Sequence, residues 1–194
     1  MGVLFTSVFT GIEVIWDRQF GFLKETMVAP VSRFQIMVGR TLGGATVATI
    51  QGIIVFVLTL IVGFRPQNFI LLPIVLVFVF LIAFLFTSIG TAIASVLEDM
   101  QGFQLIMNFL VMPIFFLSGA LFPLQGLPRA MEIITRVDPL AYGVDAVRGL
   151  LISTTQFGLL ADFATIVIIT AVFLGIGSIC SKESKYKIFG CLLI

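Results

Sequence analysis

The sequence predicts an all-α integral membrane protein, a polytopic helical bundle with four full spans and a partial N-terminal span. One cytoplasmic interfacial helix and external re-entrant or amphipathic helices complete the expected fold. Three observations carry this. Of 194 residues, 59% are apolar and 11% charged, where a soluble domain carries about 25% charged residues. Four apolar runs lack Asp, Glu, Lys and Arg altogether. Each is long enough to cross about 30 Å of hydrocarbon at about 1.5 Å per residue. Aromatic usage is skewed to 21 Phe against 2 Tyr and 1 Trp, and Phe brings no polar atom into lipid.

The runs are residues 41–62, 70–96, 103–122 and 163–180. A charge at a span centre costs about 2.5–3.5 kcal/mol on an insertion scale, so the clean exclusion is itself a spanning signature. The second run is long enough to tilt, and the third carries Pro113 in its middle. A closed barrel would show short alternating segments instead. Residues 1–12 are a fifth apolar run of half a span's length, without the basic start and cleavage site of a signal peptide. They read as the inner end of a helix whose outer half precedes this sequence. The whole of 1–194 reads as one transmembrane domain.

Polar segments separate the runs. Residues 13–40, 97–102 and the tail 181–194 fall on one side of the membrane and carry seven Lys or Arg. Residues 63–69 and the long external segment 123–162 fall on the other and carry four. The positive-inside rule places the first set, with the C-terminus, in the cytoplasm.

Composition closes off several classes of chemistry. A net charge of +1 offers nothing to nucleic acid. Histidine is absent, and with it His-based metal sites and Ser-His or Cys-His nucleophile pairs. Cys180 and Cys191 make neither a disulfide framework nor a zinc spacing. No phosphate-binding G-x-x-x-x-G-K-[ST] loop occurs, so the chain does not hydrolyse ATP by that route. Cys191-Leu192-Leu193-Ile194 matches a prenylation pattern, but four-residue matches arise easily by chance in an apolar tail.

Three segments invite a function. In residues 13–30, Ile12, Trp16, Phe20, Leu23 and Met27 fall within an arc of about 80° at about 100° per residue. Asp17, Arg18, Lys24 and Glu25 lie outside that arc, and Pro30 stops the helix. Such a helix lies in the membrane interface or against a cytoplasmic partner; a plain connector anchored by Trp16 is the alternative. Gly44, Ala48 and Gly52 repeat every fourth position and make a flat face for close helix packing. In the outer segment, residues 128–137 read as a short helix with a Glu132–Arg136 pair. Asp138 then caps a second helix, which begins at Pro139, runs to 151 and lets Asp145 meet Arg148. These helices suit a re-entrant lid or, failing that, a surface loop. Gln51, Gln104 and Asn108 are the notable amides inside spans, suited to interhelical hydrogen bonding or to lining a polar path.

An ion-driven carrier places ionisable groups near the bilayer midplane. The four runs hold none, so any energy for transport comes from another subunit acting on the cytoplasmic face.

The residues then carry a resemblance. Trp16-Asp17-Arg18-Gln19-Phe20-Gly21-Phe22-Leu23-Lys24-Glu25, followed by Ala29-Pro30-Val31-Ser32-Arg33, resembles the cytoplasmic segment of type-2 ABC exporter permeases, in the daunorubicin-resistance and nodulation-factor export group. Phe116-Leu117-Ser118-Gly119-Ala120-Leu121-Phe122-Pro123 is similar to the same group. So is Asp138-Pro139-Leu140-Ala141-Tyr142 with Asp145 and Arg148-Gly149. Order and spacing agree to about Cys180, and the three stretches are specific together.

The resemblance implies a six-span permease in a prokaryotic cell membrane, exporting a drug, lipid or glycan. It implies a second permease as partner, identical or closely related, and a separate cytoplasmic ATPase that binds ATP and Mg, leaving no cofactor on this chain. Trp16, Asp17, Arg18, Phe20, Gly21, Lys24 and Glu25 would couple to that ATPase. Pro139, Leu140, Tyr142, Asp145 and Arg148 would belong to outer helices beside the export path. The family's first span and half its second are missing here, and the apolar C-terminal tail departs from its usual short basic one. A membrane assembly or anchoring subunit with no transport path is the competing expectation.

Overall fold

In a computed structural model the described residues are 1–20, 32–66, 69–97, 99–120, 135, 137–152 and 158–192. They form helices and no strand. Helix α1 is Gly2–Phe9 and α2 is Gly11–Gln19; α3 is Arg33–Ile61. A short 3-10 turn, Phe69–Leu71, leads into α4, Leu72–Val96. Then follow α5, Met100–Leu117, α6, Pro139–Ile152, and α7, Leu159–Leu192. Among the described residues, four helices are long and apolar enough to cross a membrane: Phe34–Ile61, Leu72–Val96, Met100–Leu117 and Leu159–Gly177.

Local chemistry sets where these helices begin and end. Ser32 and Gln35 open α3 with a reciprocal capping box, at 3.3 and 3.0 Å. Gly63, at φ +110°, follows its end in a backbone region that disfavours other residues. Asp99 Oδ2 caps α5 by accepting from the Gly102 N–H at 3.0 Å. Asp138 Oδ1 caps α6 by accepting from the Leu140 N–H at 2.9 Å, with Pro139 in the first helical position.

Helix α4 is the centre of the bundle and packs against α1, α2, α3, α6 and α7. Its Phe78, Leu85, Phe86 and Ile89 share one buried cluster with Leu4, Val8, Ile15, Phe103, Met107, Leu140 and Ile166. Lipid is as apolar as these side chains, so helices in a bilayer associate through close packing rather than through escape from water. Glycines provide it. A Cβ on Gly90 would stand 2.5 Å from the Val8 carbonyl, and one on Gly11 would stand 2.6 Å from the Gly90 carbonyl. The end of α1 and the start of α2 thus cross α4 backbone to backbone. By contrast α5 touches its neighbours only lightly, through a single buried line of Phe103, Met107, Val111 and Phe115.

Several boundaries differ from the sequence expectation: α3 starts at Arg33, inside the expected segment 13–40, and α5 ends at Leu117 rather than 122. Helix α7 starts at Leu159 rather than 163, which brings Asp162 into its first turn, fully buried. The dipole of a helix N-terminus favours negative charge in its first turn. The same helix also runs on as far as Leu192, through the Lys-rich segment expected as a separate tail.

Candidate functional site

Two ends of the bundle hold the residues singled out from the sequence. At the Asp99 end, α2 lies beside α3 and α5. Arg40 Nη2 of α3 meets Asp17 Oδ2 of α2 at 2.5 Å, and Trp16 Nε1 donates to Met100 Sδ, the first residue of α5, at 2.8 Å. One short helix is therefore tied to two spans. A cleft of about 310 Å³ opens beside the ion pair, lined by Thr10, Glu13, Arg40, Gly44 and Thr91 among others.

The apolar arc of α2 packs inward only at Ile12, which lies against the buried core. Ile15 and Gly11 are buried against the bundle, whereas Trp16 is 50% and Phe20 76% exposed. This leaves an outward apolar surface at the membrane boundary, flanked by Asp17. Gly21, Lys24 and Glu25 lie outside the described residues, as does the side chain of Arg18.

The Gly119 end holds α6. At 14 residues it is about 21 Å long, too short to cross the hydrocarbon. It seats closely on α4: a Cβ on Gly143 would meet the Ile82 side chain at 2.6 Å. Arg148 Nη2 donates to the Gly119 carbonyl at 2.9 Å. Gly119 adopts φ +74°, the left-handed turn that ends α5 and presents that carbonyl. Leu140 and Asp145 are buried, Pro139 and Tyr142 partly so. Burial pushes the Asp138 carboxyl up to about 7, against the pull of the Leu140 N–H. Two apolar clefts of about 280 and 310 Å³ adjoin this helix, the first lined by Leu4, Val79, Leu140, Val144 and Arg148. The short helix expected over 128–137 falls almost wholly outside the described residues.

Between the ends, Gly44 and Ala48 are buried. A Cβ on Gly44 would meet Thr10 Oγ1 and Thr87 Cγ2 at 2.8 Å; one on Gly52 would meet Val3 Cγ2 at 2.8 Å. Gln51 accepts from Thr6 Oγ1 across α1 and α3, so this amide serves helix pairing. The buried hydroxyls of Ser88, Thr91 and Ser95 in α4 donate to carbonyls three or four residues back, whereas Thr87 Oγ1 is buried without a hydrogen-bond partner. No group of three or more acidic or Cys residues suited to a metal occurs among the described residues.

The sequence reading passed over the Gly11–Gly90 crossing. An isolated glycine within an apolar span was the available signal, and only the fold pairs the two. It also passed over Asp162, whose two carboxylate oxygens are buried without a hydrogen-bond partner.

Long apolar helices packed on a central span, a short clamped helix at one end and a half-length helix at the other define a polytopic α-helical membrane protein. The chain belongs to the ABC-2 type transporter family, which its residues 1–152 match. It is 29% identical over 153 residues to a putative transport permease, ycf38, of Cyanophora paradoxa, covering 76% of this chain and 53% of that protein. It is 27% identical over 121 residues to nodulation protein J of Rhizobium meliloti, covering 61% and 45%. It is 26% identical over 182 residues to a probable doxorubicin resistance ABC transporter permease, DrrC, of Mycobacterium tuberculosis, covering 88% and 63%. The chain spans about half the length of the curated relatives it matches first.

Proposed function

We propose that this chain is the transmembrane permease subunit of an ATP-driven exporter, carrying a drug, lipid or glycan-like substrate out of the cytoplasm. The family match over residues 1–152 carries the reading, because it takes in the short helix α2, the spans α3 to α5 and the half-length helix α6 together. ATP and Mg bind a separate cytoplasmic ATPase, and a second permease copy completes the membrane part. The Asp99 end and the C-terminus face the cytoplasm of a prokaryotic cell, as the Lys and Arg count favours.

The ties at the Asp99 end support a coupling role for α2. A displacement of α2 by a partner reaches α3 through Asp17–Arg40 and α5 through Trp16–Met100. Trp16 and Phe20, both turned outward, supply an apolar surface for that partner or for the lipid boundary. The outer helix α6, held by Arg148, stands where substrate leaves.

The test is co-expression with a candidate ABC ATPase, purification of the complex and reconstitution into vesicles. ATP-dependent movement of a fluorescent amphiphile, lost when the ATPase is omitted, is the expected outcome. A stable complex that moves no amphiphile, lipid or glycan probe points instead to an assembly or anchoring subunit.

A further inference from the structure

The cleft beside the Asp17–Arg40 pair holds groups that the pair does not use. Glu13 stands one turn before Asp17 on α2 and lines the cleft together with Arg40. Asp17 is matched by Arg40, whereas the exposed Glu13 carboxylate has no ion-pair partner among the described residues. The three side chains therefore leave a net negative charge at the cleft. Arg40 keeps donors to spare, because only Nη2 serves Asp17 and a guanidinium carries five N–H groups. Deeper in, Thr10 Oγ1 donates to the Ser7 carbonyl at 2.6 Å and Thr91 Oγ1 to the Thr87 carbonyl at 2.9 Å. Each hydroxyl oxygen thus keeps lone pairs with which to accept. Gly43 forms an open side: it is exposed, and a Cβ there would meet nothing within 4 Å. From that opening Val47, Ile50 and Ile54 continue along α3 as an exposed apolar stripe, and no charged residue follows Arg40 before Arg65. The cleft lies where charged chain gives way to hydrocarbon-facing chain.

We infer that this cleft seats a zwitterionic membrane phospholipid with a primary amine, a phosphoethanolamine headgroup, whose acyl chain lies along Val47, Ile50 and Ile54. The ammonium meets the Glu13 carboxylate and the hydroxyl oxygens of Thr10 and Thr91, and the phosphate accepts from the free N–H groups of Arg40. Charge makes the selection. The net negative charge of the cleft opposes a headgroup that brings a phosphate without a cation. A choline headgroup brings the cation but has no N–H to donate. Volume agrees, since about 310 Å³ falls at the small end of the range of about 300–1,000 Å³ for ligand sites. That is room for a headgroup rather than for a drug-sized molecule enclosed whole. Bound there, the lipid bridges α2 through Glu13 and α3 through Arg40, the same two helices that Asp17 and Arg40 join. It is a resident brace of α2, whatever the chain exports.

The test uses the full chain in nanodiscs of phosphatidylethanolamine, phosphatidylcholine and phosphatidylglycerol in equal parts, released into mild detergent and weighed by native mass spectrometry. Phosphatidylethanolamine is expected to stay bound about tenfold more than either of the others. Glu13→Gln lowers it to their level, and Glu13→Asp keeps part of the preference. Gly43→Leu, which fills the opening without a clash, removes the bound lipid. Size-exclusion chromatography checks the fold of each variant, and Glu13→Gln decides alone if Gly43→Leu does not fold. Equal retention of the three lipids, or an undiminished preference in Glu13→Gln, overturns the site. Displacement of the lipid by soluble phosphoethanolamine, which has no acyl chain, makes it a small-molecule site and overturns the lipid assignment.

Discussion

Asp17 of α2 and Arg40 of α3 form an ion pair at 2.5 Å, with side chains 33% and 27% exposed. At that exposure a pair contributes about 0.2–1 kcal/mol to stability, too little to hold a membrane bundle together. What it sets is the angle at which α2 leaves the bundle, and hence where Trp16 and Phe20 point.

The first prediction follows from this. Asp17→Asn or Arg40→Met leaves the melting temperature of the detergent-solubilised protein nearly unchanged. Both lower recovery of the ATPase in a pull-down and lower ATP-dependent transport together. The swapped pair Asp17→Arg with Arg40→Asp regains much of the loss. Full coupling in either single variant would assign the angle of α2 to other contacts.

Gly90 is the second target. Its missing Cβ admits the Val8 carbonyl of α1, and backbone does not yield as a flexible side chain does. Gly90→Ala is expected to cost about 1–3 kcal/mol through overpacking, and Gly90→Leu to abolish a monodisperse peak in size-exclusion chromatography. Gly39→Ala, where a Cβ meets nothing within 4 Å, is the neutral control.

Arg148 tests the half-length helix α6. Arg148→Ala leaves the Gly119 carbonyl without its donor, at a cost of about 1–3 kcal/mol, and loosens α6 from the end of α5. Transport in vesicles should fall several-fold more than the amount of protein inserted in the membrane. If both fall equally, Arg148 is simply a structural residue.

Asp138 gives a pH signature. Its carboxyl titrates near 7 in the fold, raised by burial from an ordinary value of 3.8. The folded state thus keeps a proton that the unfolded chain gives up, and stability declines as pH rises from about 4 to about 7. Asp138→Asn can still accept from the Leu140 N–H but cannot ionise. Its melting temperature should vary less than the native chain's across that range, as read by a thermal scan at stepped pH. An unchanged pH profile would mean that Asp138 does not titrate there.

The spans were legible in the sequence because insertion cost is a property of residue type. A run without charged side chains crosses the bilayer whatever it packs against, and the observed helix Leu72–Val96 begins and ends close to its apolar run, while Phe34–Ile61 ends with its run but starts two turns before it. Helix starts were legible for the same local reason. The Asp138-Pro139 cap acts within two residues, and the helix does begin at Pro139. The α7 start was misplaced because Asp162 looks like an extramembrane charge, yet a helix's first turn accommodates a carboxylate.

What the sequence determined by itself, then, was the set of spanning helices, since hydrophobicity and capping are short-range quantities. Partners were a matter for the tertiary structure alone. Gly11 against Gly90, Arg40 on Asp17 and Arg148 on the Gly119 carbonyl join residues 79, 23 and 29 positions apart. In lipid every helix face is equally apolar, so no periodicity marks which face meets which neighbour. That choice depends on where small residues permit backbones to touch and on where a polar side chain finds its complement. The charge-free spans told where the protein resides; the crossing at Gly90 and the clamp at Asp17 decided how its ends are joined.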